Sequence, residues 1–243
     1  MRETPSRHRR QAAAIWRVGW TVLSILVVEI IVCGLAVLPV LIAWKELGTW
    51  IDLSRGLGLV VSSLLIVPSY VGFALCLMAV SAVATRITGA RTTPNAEMRI
   101  AEMQWPLMRW VRYMVASHIV RVFAGPLFRG SPVWTAYLRL NGARFGRRVH
   151  VNTLFVSDHN LLEFGDDVVV GSDVHLSGHT VEAGMLKTGR VRLGHNVVGL
   201  GTVVEIDVVV GADCQVGALS FVPKHTALDA DAVYAGVPAR RLG

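Results

Sequence analysis

Val198-Gly199-Leu200-Gly201-Thr202-Val203-Val204-Glu205-Ile206-Asp207-Val208-Val209-Val210-Gly211-Ala212-Asp213-Cys214-Gln215-Val216-Gly217-Ala218-Leu219-Ser220-Phe221-Val222 is the stretch that decides the fold. Val198, Val204, Val210, Val216 and Val222 recur every six residues, with Gly199, Gly201, Gly211 and Gly217 beside or between them. A period of six fits neither a helix nor an alternating strand, but it matches a parallel β-helix in which each hexad makes one flat side of a triangular coil. Phe164, Val170 and Leu176 carry the same beat upstream. Between the two runs, Ser177 to Lys187 has no hexad beat and is expected to leave the coil as a polar loop around His179. A polar loop on a rigid prism is where function is sought.

Outside the repeat, the chain is strongly apolar. Its 243 residues are 53% hydrophobic and its mean hydropathy is +0.50, which calls for a membrane reading. From Val18 to Trp44 only Glu29 is charged, and from Gly56 to Thr85 nothing is. Each run exceeds the roughly 20 residues that cross a bilayer core. The first is also far longer than the h-region of about 7 to 15 residues in a signal peptide. Two transmembrane helices are therefore expected within residues 18–85, after a basic N-terminus over 1–17. Arg2, Arg7, Arg9, Arg10 and Arg17 precede the first helix, and Arg86, Arg91 and Arg99 follow the second. Lys45 and Arg55 in the connection stand against Glu46 and Asp52. By the positive-inside rule, both termini and the repeat domain face the cytoplasm, on a multi-pass protein of the cytoplasmic membrane.

The net charge of +7 then belongs to juxtamembrane arginines beside an anionic leaflet, and no nucleic-acid module is present. Cys33, Cys76 and Cys214 have no paired spacing that suggests a disulfide framework or a metal site. Glu29, the acid within a predicted span, is read first as an interhelical hydrogen bond and second as part of a transport path. Residues 86–144 have neither a long apolar run nor the hexad. Trp105, Trp110, Trp134 and Tyr137 alternate there with Arg109, Arg112 and Arg139, a mixture suited to short helices at the headgroup boundary. The other reading is a set of helices that covers the open first coil; both can hold.

The repeat over residues 145–243, closed by Tyr234-Ala235-Gly236-Val237-Pro238-Ala239-Arg240, resembles the hexapeptide-repeat acyltransferases. Arg192-Leu193-Gly194-His195-Asn196-Val197 is similar to the strand after the active-site loop of the sugar O-acetyltransferases in that superfamily, and Gly178-His179 stands where their histidine does. The resemblance implies a mainly β fold, a left-handed parallel β-helix carrying two N-terminal transmembrane helices and a short helical connecting region, and a homotrimer. A second resemblance covers more of the chain. Tyr137 to Ala143, Leu161 to Asp167, the spacing of His179, Glu182 and Lys187, and Gly217-Ala218-Leu219-Ser220 look like the C-terminal region of ε-poly-L-lysine synthetases and related peptide synthetases. There, pairs of transmembrane helices alternate with three such soluble domains, so a homotrimer of this chain would rebuild that arrangement from identical copies. Three features depart from the patterns: Leu193 to Val198 is five residues, His195 stands where an acidic residue is common, and Leu200 interrupts the glycines.

Acyl transfer from a thioester needs a base for the attacking hydroxyl or amine, and histidine suits that task near neutral pH. No separate nucleophile is required when acceptor and thioester are held together. His179 is the candidate base. Glu182 is the candidate to orient its imidazole or to bind an acceptor ammonium, and Lys187 to meet an acidic acceptor or a pantetheine phosphate. Asp158 and Asn160, at another irregular turn, are substrate-binding candidates, although turn formation explains them as well. Gly201, Lys224 and Arg240 are candidates for the donor's groove and phosphates. His150, His159, His175, His195 and His225 are expected at surfaces or turns. The expected donor, as the resemblances imply, is acyl-coenzyme A or a phosphopantetheinyl carrier-bound thioester, with no metal. Three functions compete: a membrane-anchored acyltransferase, a peptide-bond-forming subunit served by a separate adenylation-carrier protein, and a non-catalytic trimeric scaffold.

Overall fold

The computed structural model describes residues 7–52 and 56–242, with backbone alone for residues 7–10. Arg2 and Arg55, and the side chains of Arg7, Arg9 and Arg10, all counted in the charge asymmetry, lie outside the described residues. The repeat folds into three stacks of short parallel strands. Asn196 lies opposite Cys214 and Gln215 opposite Val233, so each rung returns after 18 residues, three hexads, to the same face. The cause of the hexad is visible at the corners. Gly201, Asp207, Asp213, Leu219, His225 and Asp231, six apart, all adopt left-handed backbone with φ between 53° and 64°. Three of the six are aspartates, which tolerate that region better than most side chains. Each corner sends one residue per side inward: Val198, Val204, Val210, Val216 and Val222 are at most 2% exposed. Each such burial contributes about 1.5–3 kcal/mol. The five-residue step from Leu193 to Val198 shortens one turn, so that Val191 meets Val208 after 17 residues.

The segment expected to be a loop is instead regular. Leu162 lies opposite Val191, a return of 29 residues. The surplus over one rung forms an antiparallel hairpin of His179–Glu182 and Met185–Thr188. Ala183 and Gly184, both at positive φ, make its turn. Glu97–Arg99 adds a third antiparallel strand along Met185–Lys187. A period-of-six test does not see a period of two, which explains the difference. Leu186 and Thr188 are buried while Val181 is 56% exposed, and Leu186 packs with Met98, Leu107 and Met108 in a small core of its own.

Among the described residues, five α-helices precede the coil. α1 (Arg7–Trp50) and α2 (Leu57–Ile87) are 44 and 31 residues long, and both are long and apolar enough to cross a membrane. Leu23, Leu26, Ile30, Leu64 and Val67 on them are exposed, an apolar surface that a lipid phase would cover. The helices are joined by a hydrogen bond from Trp44 Nε1 to Ser69 Oγ, 2.8 Å. The expected interhelical hydrogen bond of Glu29 is not made by its Oε2, which is buried without a partner among the described residues.

α3 (Trp105–Phe123), α4 (Gly125–Phe128) and α5 (Pro132–Leu140) cover the first coil. Trp134 and Tyr137, in a region read either as headgroup-boundary helices or as a cover for the first coil, are each 1% exposed and belong to the main core. Trp134 donates from Nε1 to the carbonyl of Thr153, 3.0 Å, which ties α5 to the coil. A solenoid's open end needs such a cover, and two large aromatic side chains supply it.

Candidate functional site

The turn that starts the coil's second rung holds Asp158 at φ 52°, at the entry to a short 3₁₀ segment, His159–Leu161. This left-handed turn aims the Asp158 carboxylate inward, where it is fully buried. Gly178 allows the hairpin's first strand to pass close by: a Cβ there would stand 2.7 Å from Asp158 Cβ. The approach delivers His179 to the carboxylate. His179 Nδ1 lies 2.5 Å from Asp158 Oδ2, while Asp158 Oδ1 accepts from Thr92 Oγ1 at 2.5 Å and from Trp110 Nε1 at 3.1 Å. The Trp110 ring meets the imidazole edge to face, 5.0 Å between centroids. Ser177 Oγ donates to the His179 carbonyl, 2.7 Å, and pairs with Ser157 Oγ at 3.2 Å. His179 Nε2 has no partner among the described residues, and the side chain keeps 20% of its surface.

Burial by itself raises a carboxyl pKa. Here the hydrogen bond and charge of His179, with the Thr92 and Ser157 hydroxyls, outweigh it and hold Asp158 below its ordinary value. Asp158 therefore stays a carboxylate, held by donors that include Thr92, Trp110 and His179 from three parts of the chain. A carboxylate on Nδ1 fixes the tautomer that leaves Nε2 able to take a proton. Trp110 and Ser157 also form part of a neighbouring cleft of about 320 Å³, lined further by Met114, His118, Arg121 and Val156. Arg121 donates to His118 Nδ1, 2.7 Å, at this largely apolar cleft.

The other expected site residues are distributed differently. Glu182 does not orient His179; Asp158 does. Glu182 accepts instead from Lys224, and from Lys187 at 3.0 Å, while Lys187 also lies 3.7 Å from Glu97. The hydrogen bonds from Lys224 and Lys187 hold the Glu182 carboxyl at about 2. Glu182, Lys187 and Lys224 thus form one half-buried cluster between hairpin and coil. Asn160 does not face the cleft: its amide donates to the Thr92 carbonyl at 2.8 Å and accepts from the Thr92 N–H at 3.3 Å, clamping the segment that follows α2. Gly201 is a coil corner at φ 64°, where a Cβ would meet Leu219 at 2.9 Å. Arg240 lies exposed in the last strand, opposite Ala235.

Sequence reasoning did not place Thr92, Trp110 or Arg121 at the site. His159, expected at a surface or turn, is buried edge-to-face against Tyr113 and Tyr137. Burial pushes its pKa down to about 4, so it is neutral. Among the described residues, no group of three or more His, Cys, Asp or Glu side chains is arranged to hold a metal ion.

Comparison with known proteins adds to this geometry. No protein-family model matches the chain. Over 143 residues it is 29% identical to the Delta-poly-L-ornithine synthetase of Acinetobacter baumannii. The chain is similar to a poly-amino-acid synthetase. That match covers 58% of this chain and 11% of the synthetase, so the chain spans about a tenth of the length of the curated relative it matches. Among solved structures, it is similar to a point mutant of AntD, an N-acyltransferase from Bacillus cereus in complex with dTDP-4-amino-4,6-dideoxyglucose and coenzyme A. That likeness has 25% identity, covers 33% of this chain and 50% of that one, and has a TM-score of 0.31. A hexapeptide-repeat acetyltransferase from Vibrio cholerae is similar at 18% identity, over 52% of this chain and 91% of that one, with a TM-score of 0.38.

Proposed function

We propose that this chain is a membrane-anchored acyltransferase in which His179, oriented by Asp158, is the general base. The acceptor's hydroxyl or amine gives its proton to His179 Nε2 as its oxygen or nitrogen bonds to the carbonyl carbon of a pantetheine thioester. The C–S bond then breaks, and the proton passes from His179 to the departing thiolate. The observation that carries this reading is the buried Asp158 carboxylate 2.5 Å from His179 Nδ1, with Nε2 unpartnered among the described residues. A base so placed contributes about 10²–10⁴ in rate. Thr92 and Trp110 are positioning residues, acting through Asp158. The cleft beside Trp110, with Arg121 and His118, receives one substrate; the cluster of Glu182, Lys187 and Lys224 forms a rim that meets charged groups of acceptor or donor. The coil is left-handed, the protein a homotrimer, and α1 and α2 span the membrane with the coil on the cytoplasmic side.

A second reading has the same chemistry with an aminoacyl donor: a peptide-bond-forming subunit that receives its substrate from a separate adenylation-carrier protein. The 143-residue similarity to a poly-amino-acid synthetase supports it. Binding of acetyl-coenzyme A and of an aminoacyl-pantetheine mimic to the detergent-solubilised chain tests both. Preference for the coenzyme supports the first reading, and preference for the mimic supports the second. Binding of neither contradicts both and leaves a trimeric scaffold.

A further inference from the structure

Where α1, α2 and α3 meet, a cavity of about 200 Å³ lies apart from the His179 site, with Glu29 and Arg112 both in its wall. Glu29 Oε2 is buried and lacks a hydrogen-bond partner among the described residues. Arg112 is held by its Nε, which donates to Ser24 Oγ at 3.0 Å. It makes no ion pair among the described residues. A carboxyl and a guanidinium therefore share the wall of one small cavity without an ion pair between them, the guanidinium lying 6.0 Å from the Trp105 ring. An unpaired carboxylate in an apolar helix pair is costly, and such a residue marks a ligand or ion site by default. A buried polar atom without a partner asks for an occupant.

The chemistry of the wall limits what that occupant is. It offers a carboxyl, Glu29, and a guanidinium, Arg112, so the ligand it complements carries both an ammonium and a carboxylate. Between the charged ends the wall is aliphatic, with Ile25 and Val28.

We infer that this cavity binds a free α-amino acid, with its ammonium against Glu29, its carboxylate against Arg112 and its side chain against Ile25 and Val28. The ligand supplies the two counter-charges that the helices lack. This site stands on the cavity's own residues and is independent of the role of His179.

The test uses the full chain in lipid nanodiscs, with tritiated L-leucine and tritiated L-lysine as probes. Saturable binding of at least one is expected. Analogues of the bound amino acid that lack the carboxylate or the ammonium should compete at least 100-fold less well than the unlabelled amino acid. Glu29→Gln and Arg112→Gln should each weaken binding at least tenfold, and His179→Ala should leave it unchanged. Three results would overturn the inference: no saturable binding of either probe, one-charge analogues competing as well as the amino acid, or loss of binding in His179→Ala. If either cavity variant fails to fold, the analogue series on the wild-type chain decides the question.

Discussion

Asp158 and Glu182 are two carboxylates that meet basic side chains beside the same hairpin, and their surroundings give them different work. Asp158 is fully buried and accepts from His179, Thr92 and Trp110, which come from three separate segments. Glu182 keeps 34% of its side-chain surface and meets two lysines. Both have lowered pKa values, and burial opposes the shift in both, but only at Asp158 is burial the largest effect to be overcome. A carboxylate held that way has one geometry and transmits it to the imidazole. A half-buried cluster of long side chains still open to solvent has more geometries and contributes less. The contrast teaches that a depressed pKa alone does not locate a catalytic orienter; burial with several convergent donors does.

The contrast can be broken by substitution. Asp158→Ala has the largest expected effect: transfer falls by about 10²–10⁴. Stability falls too, because three donors lose their acceptor at a cost of about 1–3 kcal/mol for each one left unsatisfied. Steady-state rates and urea melts check both. The next effect is at the adjacent His159, where burial outweighs the opposing charge of Asp158. The folded protein holds this imidazole neutral down to about pH 4, against an ordinary value of 6.5. The unfolded chain takes up the proton first, so stability is full above pH 6.5 and is lost as pH falls toward 4, by about 3 kcal/mol. Urea melts across that range should show the slope, and His159→Gln should flatten it. Thr92→Val then removes one donor from Asp158 while preserving shape. A loss of about 2 kcal/mol is expected, with a fall in kcat larger than any change in KM. Glu182→Gln should have the smallest effect: no resolvable change in Tm and a change in kcat of less than about threefold. A larger loss of kcat in Glu182→Gln than in Asp158→Ala would reverse the comparison.

How much of this was legible in the sequence depends on the range of the contact. The coil was legible because its cause repeats: the left-handed corners at Asp207, Asp213, Leu219, His225 and Asp231 recur with the inward valines, so a one-dimensional period records a three-dimensional turn. The hairpin was not, since Ala183 and Gly184 reverse the chain only once and no period announces it. His179 stood out from where the rhythm breaks, but its partner did not. Asp158 is 21 residues upstream, and the close approach of Gly178 that joins them is a tertiary fact. Trp110 and Trp134 carry the same chemistry in the sequence, yet Trp134 caps the coil and Trp110 supports Asp158. Arginines beside both made the headgroup reading attractive. The two helices, by contrast, follow from length and hydropathy alone.

The most direct test is the rate of thiol release from acetyl-coenzyme A and from an aminoacyl-pantetheine mimic, measured with a panel of amine and hydroxyl acceptors. The wild-type chain, His179→Ala and Asp158→Asn would be compared at equal folded concentration. The account predicts acceptor-dependent release by the wild type, a fall of about 10²–10⁴ in His179→Ala, and a smaller fall of at least tenfold in Asp158→Asn. Release by His179→Ala at the wild-type rate would contradict it.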